Sequence, residues 1–146
     1  MSRPLSSETV HASAVALEGR AVLITGPSGS GKSDLALRLL DRGFALVSDD
    51  QTIVRREGDR LIAKAPATIS GKLEIRGIGI VEMEAVSDVP IAMLVDLTSE
   101  IQRLPPDDRR ERPVLGINIP LISVDALTAS AASKVSLGLD RLGLKF

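Results

Sequence analysis

The chain has 146 residues, a formal net charge of −1, 44% hydrophobic and 25% charged residues, and no cysteine. That length suits one domain with a sizeable core, and the balance is that of a globular protein rather than a disordered one. Near-neutral charge with no long basic run gives a nucleic-acid partner no electrostatic footing. Without cysteine there are no disulfides or thiolate metal sites, and no apolar stretch approaches a membrane span or a signal h-region, so the reading is a cytoplasmic protein with no membrane partner.

Residues 1–9 are polar, contain Pro4 and read as a flexible lead-in to a domain over 10–146. Residues 10–17 and 20–25, joined at Glu18-Gly19, read as a hairpin. His11, the only histidine, falls in its first strand; a lone strand histidine is more often structural than catalytic, and residue type alone leaves both open. The second strand runs into Gly26-Pro27-Ser28-Gly29-Ser30-Gly31-Lys32-Ser33, and an amphipathic segment follows over 34–41. Strand, glycine-rich loop and helix in this order, with G-x-x-x-x-G-K-[ST] spacing, form a P-loop. Backbone N–H groups converge on phosphate only where Cβ atoms do not intervene, and the helix adds its positive N-terminal dipole. Lys32 then neutralises β/γ-phosphate charge and the Ser33 hydroxyl completes the coordination of Mg2+. The pattern predicts binding of ATP or another nucleoside triphosphate. With Phe44 and Phe146 the only aromatic residues, affinity must rest mainly on phosphates.

Leu35, Ala36, Leu37, Leu39 and Leu40 supply the helix's apolar side, Gly43 its C-cap, and residues 44–47 a short buried strand. That strand ends in Ser48-Asp49-Asp50, two carboxylates at a strand's C-terminal end, where ligands sit in open α/β sheets. A second hairpin is predicted over 51–63 around Glu57-Gly58-Asp59. Residues 73–80, Leu-Glu-Ile-Arg-Gly-Ile-Gly-Ile, alternate as a strand with Glu74 and Arg76 on one face. A solvated ion pair would explain those two, but Gly77 and Gly79 suggest close approach of a ligand or backbone. Residues 91–97 form an apolar strand, 98–112 a mobile charged loop, 117–124 an edge strand with Pro120, and 125–137 a helix capped by Asp125; 138–146 is a tail.

His11, the P-loop, Asp49-Asp50 and the string at 73–80, in this order, resemble the catalytic domain of HPr kinase/phosphorylase, from about residue 10 to about residue 124. The resemblance implies an α/β, P-loop kinase-like domain: a mixed sheet with hairpins, a helix after the P-loop and a C-terminal helix. It implies a bacterial serine kinase using ATP and Mg2+ on the HPr phosphocarrier of the sugar phosphotransferase system, able also to remove the phosphoryl group with inorganic phosphate, and tending to form hexamers. Carried over, Lys32 and His11 are catalytic, Asp49 is the base on the target serine, Ser33, Asp50 and Glu74 hold the metal, and Arg76 and Arg103 are catalytic arginines. The length resembles the family's short proteobacterial form. The basic, proline- and glycine-containing loop associated with dephosphorylation is replaced by Pro120-Leu121-Ile122-Ser123-Val124-Asp125-Ala126, without Lys or Arg, which argues against phosphorolysis. A small-molecule kinase or nucleotide hydrolase, and a non-catalytic ATP-binding sensor, stand as the alternatives.

Overall fold

A computed structural model describes residues 6–100 and 110–146. The elements are β1 (Ser7–Val10), β2 (Ala12–Leu17), β3 (Arg20–Thr25), α1 (Lys32–Leu40), β4 (Ala45–Ser48), β5 (Thr52–Glu57), β6 (Arg60–Lys64), β7 (Lys72–Ile75), β8 (Gly79–Glu82), β9 (Val89–Leu97), β10 (Glu111–Val114), β11 (Ile117–Val124) and α2 (Ala131–Leu142). Nine strands form one mixed sheet in the order β1-β5-β6-β9-β3-β2-β4, with β11 joining β9 and β10 joining β11; β7 and β8 make a separate hairpin. This is the mixed α/β fold expected.

The apolar run of β9 suits a strand covered on both faces. It lies parallel to β3 on one side; on the other it meets antiparallel β6 at Val89–Pro90 and parallel β11 at Leu94–Leu97. One sheet face packs under α1 and α2 through Val22, Ile24, Leu35, Leu39, Val135 and Leu139. The sheet curls, so the opposite face is closed by β5 and β6 over Ala14, Leu23, Val47 and Leu94. Alanines at 12, 14 and 16 let β2 sit at the centre of this second layer without side chains large enough to hold it open. Phe44 is buried in the first core, and Phe146, half exposed, lies under the Arg60 guanidinium at 4.8 Å.

Strands β3, β4, β9 and β11 all point the same way, because β2 runs antiparallel to both β3 and β4. Their C-terminal ends therefore share one rim, which carries the P-loop, Asp49-Asp50 and Asp125–Leu127. Between β2 and β4 the register shifts: Ala14 faces Ser48 but Val15 faces Leu46, leaving Val47 as an extra residue.

Several boundaries differ from expectation. Ser7–Thr9 are not loose but pair with β5, side chains exposed; backbone ladders need no apolar residue. His11 is not within a strand but occupies the bend between β1 and β2. The string at 73–80 is a hairpin rather than one strand, with Arg76 in its turn and Gly77 at φ 87°, a left-handed conformation that reverses the chain. Of the expected loop at 98–112, residues 101–109 lie outside the described residues, while Glu111 and Arg112 belong to β10. Nor is β11 an edge strand: β10 pairs with Ile117–Pro120 and β9 with Leu121–Val124, and Pro120, which cannot donate, sits where the partners change. The last helix starts later than Asp125, whose carboxylate instead accepts the Leu127 N–H at 2.9 Å in a turn. It also continues through Gly138 to Leu142, with that glycine close against the sheet. A Cβ there would meet Ile122 Cδ1 at 2.9 Å and Met93 Sδ at 3.2 Å.

Candidate active site

The P-loop folds as its composition demands. Gly29 and Gly31 take φ 80° and 101°, the left-handed backbone from which anion-binding nests are built, and Gly31 adjoins the first residue of α1. Gly26 cannot carry a side chain: a Cβ would meet Ser30 Oγ at 2.6 Å and Leu97 Cβ at 3.1 Å. The Lys32 ammonium folds back on the loop, donating to Gly26 O at 2.9 Å and Pro27 O at 3.2 Å. Ser30 Oγ is buried without a hydrogen-bond partner. A buried orphan hydroxyl costs on the order of 1–3 kcal/mol unless a ligand satisfies it, which fits a phosphate acceptor in the loop.

The two aspartates, adjacent in sequence, have opposite environments. Asp49 is 7% exposed and both its oxygens are taken. Oδ1 accepts from Ser33 Oγ at 2.6 Å and from Ser13 Oγ at 2.9 Å; Oδ2 accepts the Glu74 backbone N–H at 3.1 Å. Asp50 takes a left-handed conformation, φ 63°, which throws its carboxylate outward, the side chain 61% exposed. Its one side-chain partner among the described residues is His11, whose Nε2 lies 2.7 Å from Oδ1. An ionised carboxylate only accepts, so this tautomer carries hydrogen on Nε2.

Residues 28–34, Asp49, Asp50, Glu74, Arg76 and Leu127 line one cleft of about 540 Å³. The structure thus brings together every expected site residue except His11, which enters through Asp50, Gly26 and Pro27, which hold Lys32 from behind, and Arg103, which lies outside the described residues. Among the described residues no three His, Asp or Glu side chains gather into a cation cage. Mg2+ does not need one, since it keeps waters and takes one or two protein oxygens beside phosphate oxygens; Ser33 and Asp49, already in contact, fit that demand. Ser13 is the residue missed from the sequence. It is fully buried and also accepts the Asp50 N–H at 3.0 Å, holding the Asp49 carboxylate and the Asp50 backbone together. A serine inside the apolar run of β2 was the available signal, because a buried hydroxyl requires partners.

Comparison with known proteins identifies the family. Residues 4–135 match the family model described as HPr Serine kinase C-terminal domain. The chain is 37% identical over 131 residues to an HPr kinase/phosphorylase from Chlorobium chlorochromatii, covering 80% of this chain and 39% of that protein. It is 38% identical over 128 residues to one from Chlorobium luteolum, covering 78% and 38%. The chain therefore spans under two fifths of these relatives' length. A solved structure of the Hpr(Ser) kinase/phosphatase from Coxiella burnetii superimposes with TM-score 0.78 and 29% identity, over 91% of this chain and 94% of that one. No helix among the described residues is long and apolar enough to cross a membrane. The chain belongs to the HPr serine kinase C-terminal domain family.

Proposed function

We propose that the chain is an ATP-dependent protein serine kinase acting on an HPr-like phosphocarrier. The observation that carries this reading is the placement, on one rim, of a P-loop whose Ser33 contacts a buried aspartate and an outward aspartate held by a histidine. Phosphoryl transfer is chiefly positioning and charge neutralisation, and these residues supply both.

The environments of the carboxylates favour exchanging the roles that sequence position suggests. Asp49, with every oxygen engaged and Ser33 beside it, suits holding the metal; Asp50, exposed and aligned by His11, suits the base. Ser33 and Asp49, with Glu74 nearby, would hold Mg2+, which would neutralise charge on the phosphates. The P-loop amides and Lys32 hold the β- and γ-phosphates. Asp50 accepts the proton of the incoming serine hydroxyl as its oxygen bonds to the γ-phosphorus, and the bond to the β–γ bridging oxygen breaks, releasing ADP. Arg76, on the cleft wall, and Arg103 offset charge on the transferred group.

The reverse reaction, phosphorolysis with inorganic phosphate, is disfavoured in this reading by the absence of Lys and Arg from residues 120–126. A hexameric, cytoplasmic assembly belongs to the same proposal. Incubation with γ-labelled ATP, Mg2+ and purified HPr tests it: label on a serine of HPr is the expected result. Free labelled phosphate alone would make the chain a hydrolase, and intact bound ATP alone a sensor.

A further inference from the structure

The rim holds a feature that phosphoryl transfer leaves unused. Leu127 is 92% exposed, yet nothing about its backbone is loose. Its N–H is held by the Asp125 carboxylate at 2.9 Å, and the Thr128 N–H and Oγ1 both donate to Asp125 O, at 3.1 and 2.8 Å. On either side of Leu127, Arg38 of α1 grips the turn: Nη1 donates to Thr128 O at 3.2 Å and Nη2 to Ala126 O. Asp34, one turn earlier on α1, lies 3.3 Å from Arg38 Nε without alignment for a hydrogen bond, so it adds charge balance rather than direction. The turn also abuts the P-loop, since a Cβ on Gly31 would stand 3.0 Å from Ala126 Cβ.

A turn fixed by a carboxylate and a guanidinium fork could present any side chain; here it presents a large apolar one to water, on the wall of the P-loop cleft. An exposed leucine on a mobile loop would need no explanation, but one held rigidly beside a ligand cleft indicates a surface that becomes covered. The same cleft also carries Asp49, Asp50, Glu74 and Arg76, which suit the reacting end of a triphosphate. The uncharged end of the same ligand is a flat apolar base, and neither phenylalanine lines the cleft to stack on it.

We infer that Leu127 is the shelf on which the nucleobase rests, and that Arg38 and Asp125 are the positioning residues that aim it. This rests on the P-loop reading above and adds to it the subsite for the base. Aliphatic contact with a base face carries no hydrogen-bond code, so the subsite tolerates different purines.

Calorimetric titration of the full chain in Mg2+ with ATP, GTP and inorganic tripolyphosphate, the last having phosphates but no base, tests the inference. Leu127→Ser should weaken ATP and GTP about equally, by roughly five- to tenfold for one partly buried aliphatic contact, and leave tripolyphosphate unchanged. Arg38→Met should show the same base-dependent loss, and its melting temperature, read alongside, separates misaiming of the turn from unfolding. Leu127→Phe should restore or tighten ATP binding without touching tripolyphosphate. Equal losses for all three ligands would make residue 127 a support of the phosphate loop, and no loss for any would leave it to a protein contact; either overturns the shelf. Should wild-type protein bind none of them, the P-loop reading itself fails, and the shelf with it.

Discussion

The floor of the cleft and the β7–β8 hairpin beside it are built on different principles. On the floor, every carboxylate oxygen of Asp49 has a named donor, Lys32 is anchored, and Ser13 ties β2 to both aspartates. The hairpin is held by its own ladder, the buried Leu73 and the one Glu74 N–H bond to Asp49, while Ile78 and Ile80 stand 75% and 69% exposed. Buried polar networks fix geometry because any misplacement leaves a desolvated group unpaired; an exposed ladder can shift at small cost. The base of the hairpin, at Glu74, is thus tied to the fixed floor, while its Ile78–Ile80 end is free to adapt.

The comparison can be broken most severely at Lys32. Lys32→Ala should reduce label transfer to HPr by about a thousandfold, as removal of a pre-placed charge donor does, with circular dichroism unchanged; residual transfer within tenfold of wild type would take the lysine out of the chemistry. Next, the aspartates should separate. Asp50→Asn should lower kcat by on the order of 10²–10⁴ with little change in ATP affinity or melting temperature. Asp49→Asn should weaken Mg2+-dependent ATP binding and also lower stability by about 1–3 kcal/mol, because an amide cannot accept from all three donors that surround it. If the Asp49 variant melted like wild type and lost only kcat, the roles would be those read from the sequence.

A smaller effect sharpens the other half of the comparison. Leu73→Ala should cost about 2–4 kcal/mol in denaturant titrations, whereas Ile80→Thr should stay within about 0.5 kcal/mol. Equal losses would show the exposed hairpin face to be packed in solution.

The smallest effect lies away from the site, at Asp88. Hydrogen bonding to the Arg55 guanidinium, then to Ser87, holds its carboxyl below the usual range. A depressed folded-state pKa stabilises above the unfolded value, and that contribution is lost as pH falls through the folded value. The pair is on the surface, so Asp88→Asn should leave melting at pH 7 nearly unchanged and slightly flatten its acid limb. A large drop at neutral pH would mean that the pair braces the start of β9.

The P-loop was legible because its chemistry requires contiguous residues in fixed order, and Asp49-Asp50 because a strand end beside it leaves few other uses. What stayed hidden was set by partners distant in sequence. Ser13 meets Asp49 only through β4, and the contrast between the two aspartates' environments depends on a left-handed residue 50 and on His11 reaching it. The string at 73–80 misled because both arms of a hairpin alternate as a single strand does; Gly77 marked the reversal and was read as room for a ligand. Asp125 looked like a helix cap because Asx turns and N-caps share the same local bond.

The spare residue in β4 has a consequence for how this fold tolerates change. Side chains along a strand point to alternate sides, so Asp49 reaches Ser33 and Ser13 only because Val47 adds one step against β2. Shortening the strand by that valine would keep every charged group in the chain and still turn the carboxylate to the wrong side of the sheet. The aim of the Asp49 carboxylate is therefore written in the count of residues before it as much as in its identity.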